Sequence, residues 1–473
     1  MYAITSKTVS TCCAQWVGFF AISFNKKCHN FCELFWINFM EIKKFQLIII
    51  ILIALFLRLY NLNYMEFKKD EATYLFKAVR MVEEGVIPIT GNTASVGMNE
   101  TPMFVYLLSL PSFFSKNPIV VTAYIAFLCV LAIFICFVYM KKMFGETAGL
   151  IAIAFYAVNP WSVFYSRKIW PNELLPLFVM FFIYFIYKAI YEKKKGYIIL
   201  SLIVLGFIPQ LHFSAIYFII VFFGILLRYW QQINKKYLII GCIFFALMFT
   251  PYATYQFKNN FIDIKKFKKL IDRENRFNQD AFSTILKLST TNGFEASFGN
   301  DYGDFENQIF KINLLDDLQK FALFSAFVYF IVNYNSKLFI LFLWLLFGMF
   351  SLIFAKVSML NHYFIHLLPL IFILLGNLFS WMLKSRLKAL RYGASVYIIV
   401  LLAYQFYFSL SFASYTRDHR CIQGDYGPPF YYRVADIKKA IGEGKKDFEA
   451  IHSTCKCVKC DPAATLYIVR YLN

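Results

Sequence analysis

Apolar runs of about 20 residues recur along most of this chain, and such a run is what crosses a hydrocarbon core of roughly 30 Å. Inside that core the chain must satisfy every backbone N–H and C=O itself, so spans are helices or closed barrels. Barrel strands would read as alternating segments of about 10 residues. Runs such as "QLIIIILIALFLRLY" do not alternate. Of the 473 residues, 59% are hydrophobic and 16% charged, whereas soluble domains carry roughly a quarter charged residues. The expected fold class is an all-α polytopic membrane protein.

Spans are expected over roughly 46–62, 118–140, 147–165, 172–190, 197–212, 213–229, 236–256, 318–334, 337–356, 360–382 and 393–414, about eleven in all. With the N-terminus inside, the inner connections are "KKMFGE", "YEKKKG", "RYWQQINKKY", "NYNSK" and "KSRLKALRYG". Each carries Lys or Arg, as the positive-inside rule requires. The net charge of +20 therefore sets topology and meets anionic lipid, and it does not call for a nucleic-acid partner. Three segments, about 63–117, 257–317 and 415–473, fall outside and imply work at the outer face of a multi-pass cell membrane. The basic stretch "NNFIDIKKFKKLIDRENRF" also lies outside, in a loop too long for the rule to count.

Domain organisation follows: an N-terminal extension over 1–45, a membrane domain over 46–415, and a small outer tail over 416–473. Met40 opens "MEIKKFQLIIII", a basic flank before a span, and reads as the start, with 1–39 an upstream extension. Eleven cysteines divide three ways. Cys12, Cys13, Cys28 and Cys32 lie in the extension, while Cys129, Cys136 and Cys242 lie in spans as small hydrophobes. Cys421, Cys455, Cys457 and Cys460 lie in the tail. "HSTCKCVKC", with His452 nearby, resembles a metal loop but lacks paired C-x2-C knuckles, so disulfides rank ahead of metal. In the same tail "YYRVADIKKAIGEG" reads as a helix and "TLYIVRYL" as a strand, a small α+β appendage.

The first outer loop carries the chemistry. From Asp70 to Glu84 the apolar positions Ala72, Leu75, Phe76, Val79 and Val82 are spaced by three and four, one face of an amphipathic helix. Asp70 stands at the expected N-cap and Gly85 at the C-cap, and the apolar side is expected to lie on the bilayer. "MFVYLLSLPSFF" adds a second juxtamembrane helix. A carboxylate at a helix N-terminus stays ionised and suits a general base. The ordinary role of a lone Asp there is capping. Glu71 beside it, Glu100 at the far end of the loop and Arg58 in the outer end of the first span shift the balance toward a site.

An Arg late in the first span, "DEATY" in the loop, an acidic-Pro motif near thirty residues on and "NPWSVFYSRKIWPNELLPLF" in the next outer loop resemble the C-type polytopic glycosyltransferases. The likeness is to family 39, the dolichyl-phosphate-mannose protein mannosyltransferase and aminoarabinose transferase group, over roughly 46–415. It implies transfer of a sugar from a polyprenyl-phosphate donor on the outer face, with inversion, Asp70 taking the acceptor's proton. It matches Glu100 to the acidic member of the family's acidic-x-Pro-Pro segment, although "NETPM" lacks the second Pro. Asn172 stands where the family has an acidic residue, next to Glu173. "NHYFIHLLPL" resembles the segment near the lipid phosphate, with His362 in place of Arg.

A phosphate leaving group needs cations. The candidates are Arg58, Arg167, Lys168, His362 and His366, with Tyr363; Tyr74, Glu173 and His212 are candidate cavity residues. Each also has an ordinary role as an interfacial anchor or aromatic-belt residue. No cofactor is firmly expected. Oxygen ligands from Asp70, Glu71 and Glu100 leave Mg or Mn as the open alternative. The expected partners are the lipid-linked donor, membrane lipid and a protein, lipid or glycan acceptor. A transporter or lipid-linked-saccharide flippase is the rival class. It would place charge at mid-membrane depth and show matching broken halves.

Overall fold

The computed structural model describes residues 43–272, 278–354, 360–457 and 460–472. The expectations about Met40 and about Cys12, Cys13, Cys28 and Cys32 fall outside these residues. The chain divides into two units, Met1–Ile50 and Ile51–Asn473. In the first, 43–50 is helical. The second holds everything described below.

The described residues are nearly all helical, with β-bridges only between Thr93 and Asn99 and between Ile422 and Gly427. Within the described residues the expected spans fall largely on helical backbone, with a break at Asn159 inside 147–165. Length and hydropathy together single out five of the described helices, or six if the bent pair Lys235–Met248 and Thr250–Lys258 is one span. That pair bends by 47°, with Pro251 in the first turn of its second half, where it denies an N–H to the turn before.

Two spans begin alike. Pro171–Leu174 and Asn361–Leu367 are 3-10 turns, and each runs into an α-helix (Leu175–Ile190, Leu368–Leu383) with Pro in its first turn. Proline is pre-set for that position and loses no bond there. The side chain of Asn172 donates to the carbonyl of His362 at 3.2 Å, tying the two turns together.

The first-loop helix runs Lys69–Glu83, and Lys68, not Asp70, is its N-cap. Glu71 reaches back to accept the Lys68 N–H at 3.0 Å, which fixes the start two residues earlier than the apolar spacing suggests. Gly85, at φ +68°, follows the C-cap Glu84 in the left-handed conformation that glycine adopts freely. The apolar face meets protein where lipid was expected. Tyr74 packs edge-on against Phe104 of Met103–Phe114, and Phe76 against Tyr467 of the tail, with ring centroids 4.9 and 5.0 Å apart.

The tail is helical where a strand was expected. Asp461 accepts the N–H groups of Ala463 (2.8 Å) and Ala464 (3.4 Å), and Pro462 opens the helix Pro462–Tyr471. This cap, and burial of Ala464, Tyr467 and Ile468 at three-and-four spacing, override the β-branched run. Cys421–Cys457 and Cys455–Cys460 are disulfides.

Candidate active site

Arg58 and Arg167 set the scaffold. Arg58, fully buried, donates to the carbonyls of Ala54 (3.0 Å) and Ala157 (2.9 Å) and to the Ser162 hydroxyl (2.6 Å). Arg167 donates to the carbonyls of Leu57 (3.2 Å), Tyr60 (2.5 Å) and Asn61 (3.0 Å). The last carbonyls of a helix lack partners within it, and the Arg167 guanidinium satisfies those at the end of the first span, while Arg58 ties that span to the backbone at Ala157. Glu66, just beyond, is buried between Lys168, at 2.5 Å, and Lys68. Burial alone would raise its pKa, but the two ammonium groups more than offset this and hold it below the usual carboxylate range.

Above this clamp lies a cavity of about 290 Å³. Asp70 and Tyr74 line it from the first-loop helix, and Glu100 from the far end of that loop. Trp170, Pro171 and Asn172 come from one of the paired 3-10 turns, and Leu360, His362 and Tyr363 from the other or just before it. His212 comes from the break between two helices. The rings form a connected wall: Trp170 lies edge-on to His362 at 5.2 Å, His362 touches Tyr363 at 4.3 Å, and Tyr363 stacks on His212 at 5.1 Å. Lys168 sits behind, its ammonium 4.6 Å from the Trp170 ring.

Of the expected site residues, the cavity thus gathers Asp70, Tyr74, Glu100, His212, His362 and Tyr363. Glu71 turns to the Lys68 N–H, and Arg58 and Arg167 are engaged by backbone. Glu173 and His366 are buried, with no hydrogen-bond partner for their side chains among the described residues. Asp70, Glu71 and Glu100 do not converge on one point. Cys455, Cys457 and Cys460 bring their sulfur atoms together, but all three are held in disulfides and offer no thiolate to a metal.

The loop "GNTAS" was missed as a contributor, and it brings Asn92, Thr93, Ala94 and Ser95 into the wall. A short antiparallel pairing shapes it: Gly91 N–H to Glu100 carbonyl at 2.7 Å, and Glu100 N–H to Asn92 carbonyl at 2.8 Å. Gly91 was the available signal. A Cβ there would lie 2.6 Å from the Thr101 carbonyl oxygen, so only glycine permits the approach. The Asn92 amide donates to the Asp70 carbonyl at 3.2 Å.

The carboxylates of the cavity differ in kind from Glu66. Burial pushes Asp70 above its ordinary value, opposed by Lys68 and Lys69. Burial, and then the charge of Asp70, push Glu100 up to about 8. Burial and then Glu66 push Glu71 up to about 7. Asp70 is therefore a more basic carboxylate than a helix N-terminus alone would make it. Glu100 holds its proton at neutral pH and can donate a hydrogen bond into the cavity.

Residues 99–255 match the family described as dolichyl-phosphate-mannose-protein mannosyltransferase. No curated protein matches the sequence. Among solved structures, ArnT from Cupriavidus metallidurans bound to undecaprenyl phosphate aligns with a TM-score of 0.56 at 12% identity, covering 85% of this chain and 81% of that one. The Archaeoglobus fulgidus oligosaccharyltransferase in its apo form aligns at 0.51 and 13% identity, over 89% of this chain and 60% of that one. The chain shares its fold with ArnT and with that oligosaccharyltransferase, and the stretch that matches the mannosyltransferase family supplies Glu100, the turn at Trp170–Asn172 and His212 to the cavity.

Proposed function

We propose that this chain transfers a hexosyl or pentosyl group from a polyprenyl-phosphate donor to a protein, lipid or glycan acceptor at the outer face of the cell membrane. The observation that carries this reading is the shared cavity, lined by Asp70 and Glu100 together with His362, Tyr363 and His212. ArnT, solved with undecaprenyl phosphate, supports a lipid phosphate as the leaving group.

Asp70 is the base. The acceptor's nucleophile attacks the anomeric carbon from the face opposite the phosphate, its proton passes to the Asp70 carboxylate, and the C–O bond to the phosphate breaks with inversion. The departing lipid phosphate keeps the electron pair, and His362 and Tyr363, which line the cavity, are the hydrogen-bonding groups that meet its charge. Protonated Glu100 donates a hydrogen bond to a sugar or acceptor oxygen. Arg58 and Arg167 serve this indirectly, by fixing the end of the first span beneath Asp70. Asp70 and Glu100 face the cavity, while Glu71 is turned to backbone.

The test is transfer from radiolabelled polyprenyl-phosphate sugars to an acceptor extract, in membranes carrying wild type or Asp70→Asn. Transfer by wild type and its loss in a folded Asp70→Asn support the reading. Equal transfer by both removes Asp70 from the reaction. Donor flux across vesicles without label transfer favours a flippase.

A further inference from the structure

The helix Ile262–Ile271 presents a face that the proposed reaction does not use. It follows directly on the bent apolar pair Lys235–Met248 and Thr250–Lys258, so it begins where a membrane-spanning segment ends. Two consecutive non-glycine residues, Asn260 (φ 51°) and Phe261 (φ 57°), take the left-handed conformation to make the turn between them. Such backbone is unfavourable for L-residues and persists only where surrounding contacts impose it.

Those contacts are present on one side of the helix. Asp263 is buried and accepts from Gln256 (3.0 Å) and Tyr252 (3.1 Å), and Lys266 donates to the Gly97 carbonyl at 2.5 Å. The rest of the helix surface has no such cover. Ile264 and Phe267 are 56% and 43% exposed, and Phe257, just before the turn, is 69% exposed. Lys265, Lys268 and Lys269 flank them and are exposed too. A short helix with large apolar side chains on one face, lysines at its edge and a membrane span at its start has the chemistry of an interfacial anchor.

We infer that Ile262–Ile271 docks on anionic phospholipid headgroups, its apolar side chains seated between them and Lys265, Lys268 and Lys269 paired with their phosphates. Net lysine charge at the edge of the patch favours an anionic lipid surface over a second copy of this chain, whose own patch carries the same charge. The inner side of the helix is bonded to the loop that carries Glu100: Lys266 to Gly97, and Tyr252 to the Asn99 carbonyl at 3.0 Å. The lipid seat therefore lies two contacts from the cavity.

The test uses the full chain reconstituted in phosphatidylcholine vesicles with and without phosphatidylglycerol, a benzophenone amino acid replacing Phe267. Irradiation followed by mass spectrometry identifies what the side chain touches. The expected result is phosphatidylglycerol adducts that fall at least about tenfold in K265E/K268E/K269E and survive in K265R/K268R/K269R. Matched thermal melts show that both variants fold. Adducts to phosphatidylcholine at equal yield in all three proteins, adducts to a second copy of the chain, or no lipid adduct would each overturn the inference. None of these readouts depends on sugar transfer, so this proposal and the catalytic reading fail separately.

Discussion

Two groups of ionisable side chains meet at the start of the helix Lys69–Glu83, one buried and one lining a cavity, and they are built in opposite ways. Below it, Glu66 lies between two ammonium groups, and Arg58 and Arg167 give their donors to carbonyls. Above it, Asp70 and Glu100 share a cavity and stand in no ion pair among the described residues. A buried charge that is paired on all sides fixes the chain and does little else, whereas one held without a partner costs stability and stays available to a ligand. The residue types are the same, and the supply of partners separates scaffold from chemistry.

Breaking the comparison from the cavity side gives the largest effect. Asp70→Asn should lower transfer by about 10²–10⁴-fold, the usual worth of a general base, with no change in the melting profile. From the scaffold side the pattern reverses. Glu66→Ala leaves Lys168 buried, and Lys68 half-buried, without their counter-charge and should cost about 3–5 kcal/mol, read as a lower melting temperature in detergent. The sign with pH follows from its depressed pKa. The contribution of Glu66 is present above the ordinary value of 4.5 and is lost as pH falls below it.

Glu100 should show the opposite slope. Its folded pKa is raised from 4.5 to about 8, so the folded state is most favoured at low pH and loses stability as pH rises between those values. Transfer should fall above pH 8 as its proton leaves. Glu100→Gln, neutral at every pH, should remove both the alkaline loss of stability and the alkaline limb of the rate profile. A mutant that keeps the limb would mean that another group titrates there.

How much of this was legible depended on range. The first-loop helix was readable because Ala72, Leu75 and Val79 repeat at helical spacing, and all three are buried. Its start was not, because the competition between Asp70 and the Glu71-to-Lys68 bond is settled by which side chain reaches backbone. The covering of its apolar face could not be read either, since Tyr467 arrives from the far end of the chain. The cysteine reading held: the tail cysteines pair as disulfides. "TLYIVRYL" misled because β-branched residues suggest a strand, whereas Asp461 and Pro462 carry the stronger local signal. In the site, charged residues drew notice and neutral ones did not. Arg58 and Arg167 stood out for the cost of their charge, a cost that backbone carbonyls offset. Asn92 sat unnoticed in a Gly-rich turn.

Asn92 gives the smallest and most discriminating prediction. It belongs to neither group of charges, yet it touches both sides of the difference between them. Its amide donates to the Asp70 carbonyl at 3.2 Å, while its side-chain oxygen is buried without a hydrogen-bond partner among the described residues. It lines the cavity beside Asp70 and Glu100. A neutral acceptor left open at that point is suited to a hydroxyl of the sugar or the acceptor. Asn92→Ala removes one hydrogen bond of about 1 kcal/mol, so KM should rise by roughly fivefold with kcat little changed. Asn92→Asp keeps the oxygen but adds a third carboxylate to a cavity that already drives Glu100 to hold its proton. It should therefore move the alkaline limb of the rate to higher pH. A fall in kcat in Asn92→Ala, with KM unchanged, would instead make Asn92 a positioning residue for Asp70 and move it to the scaffold side of the comparison.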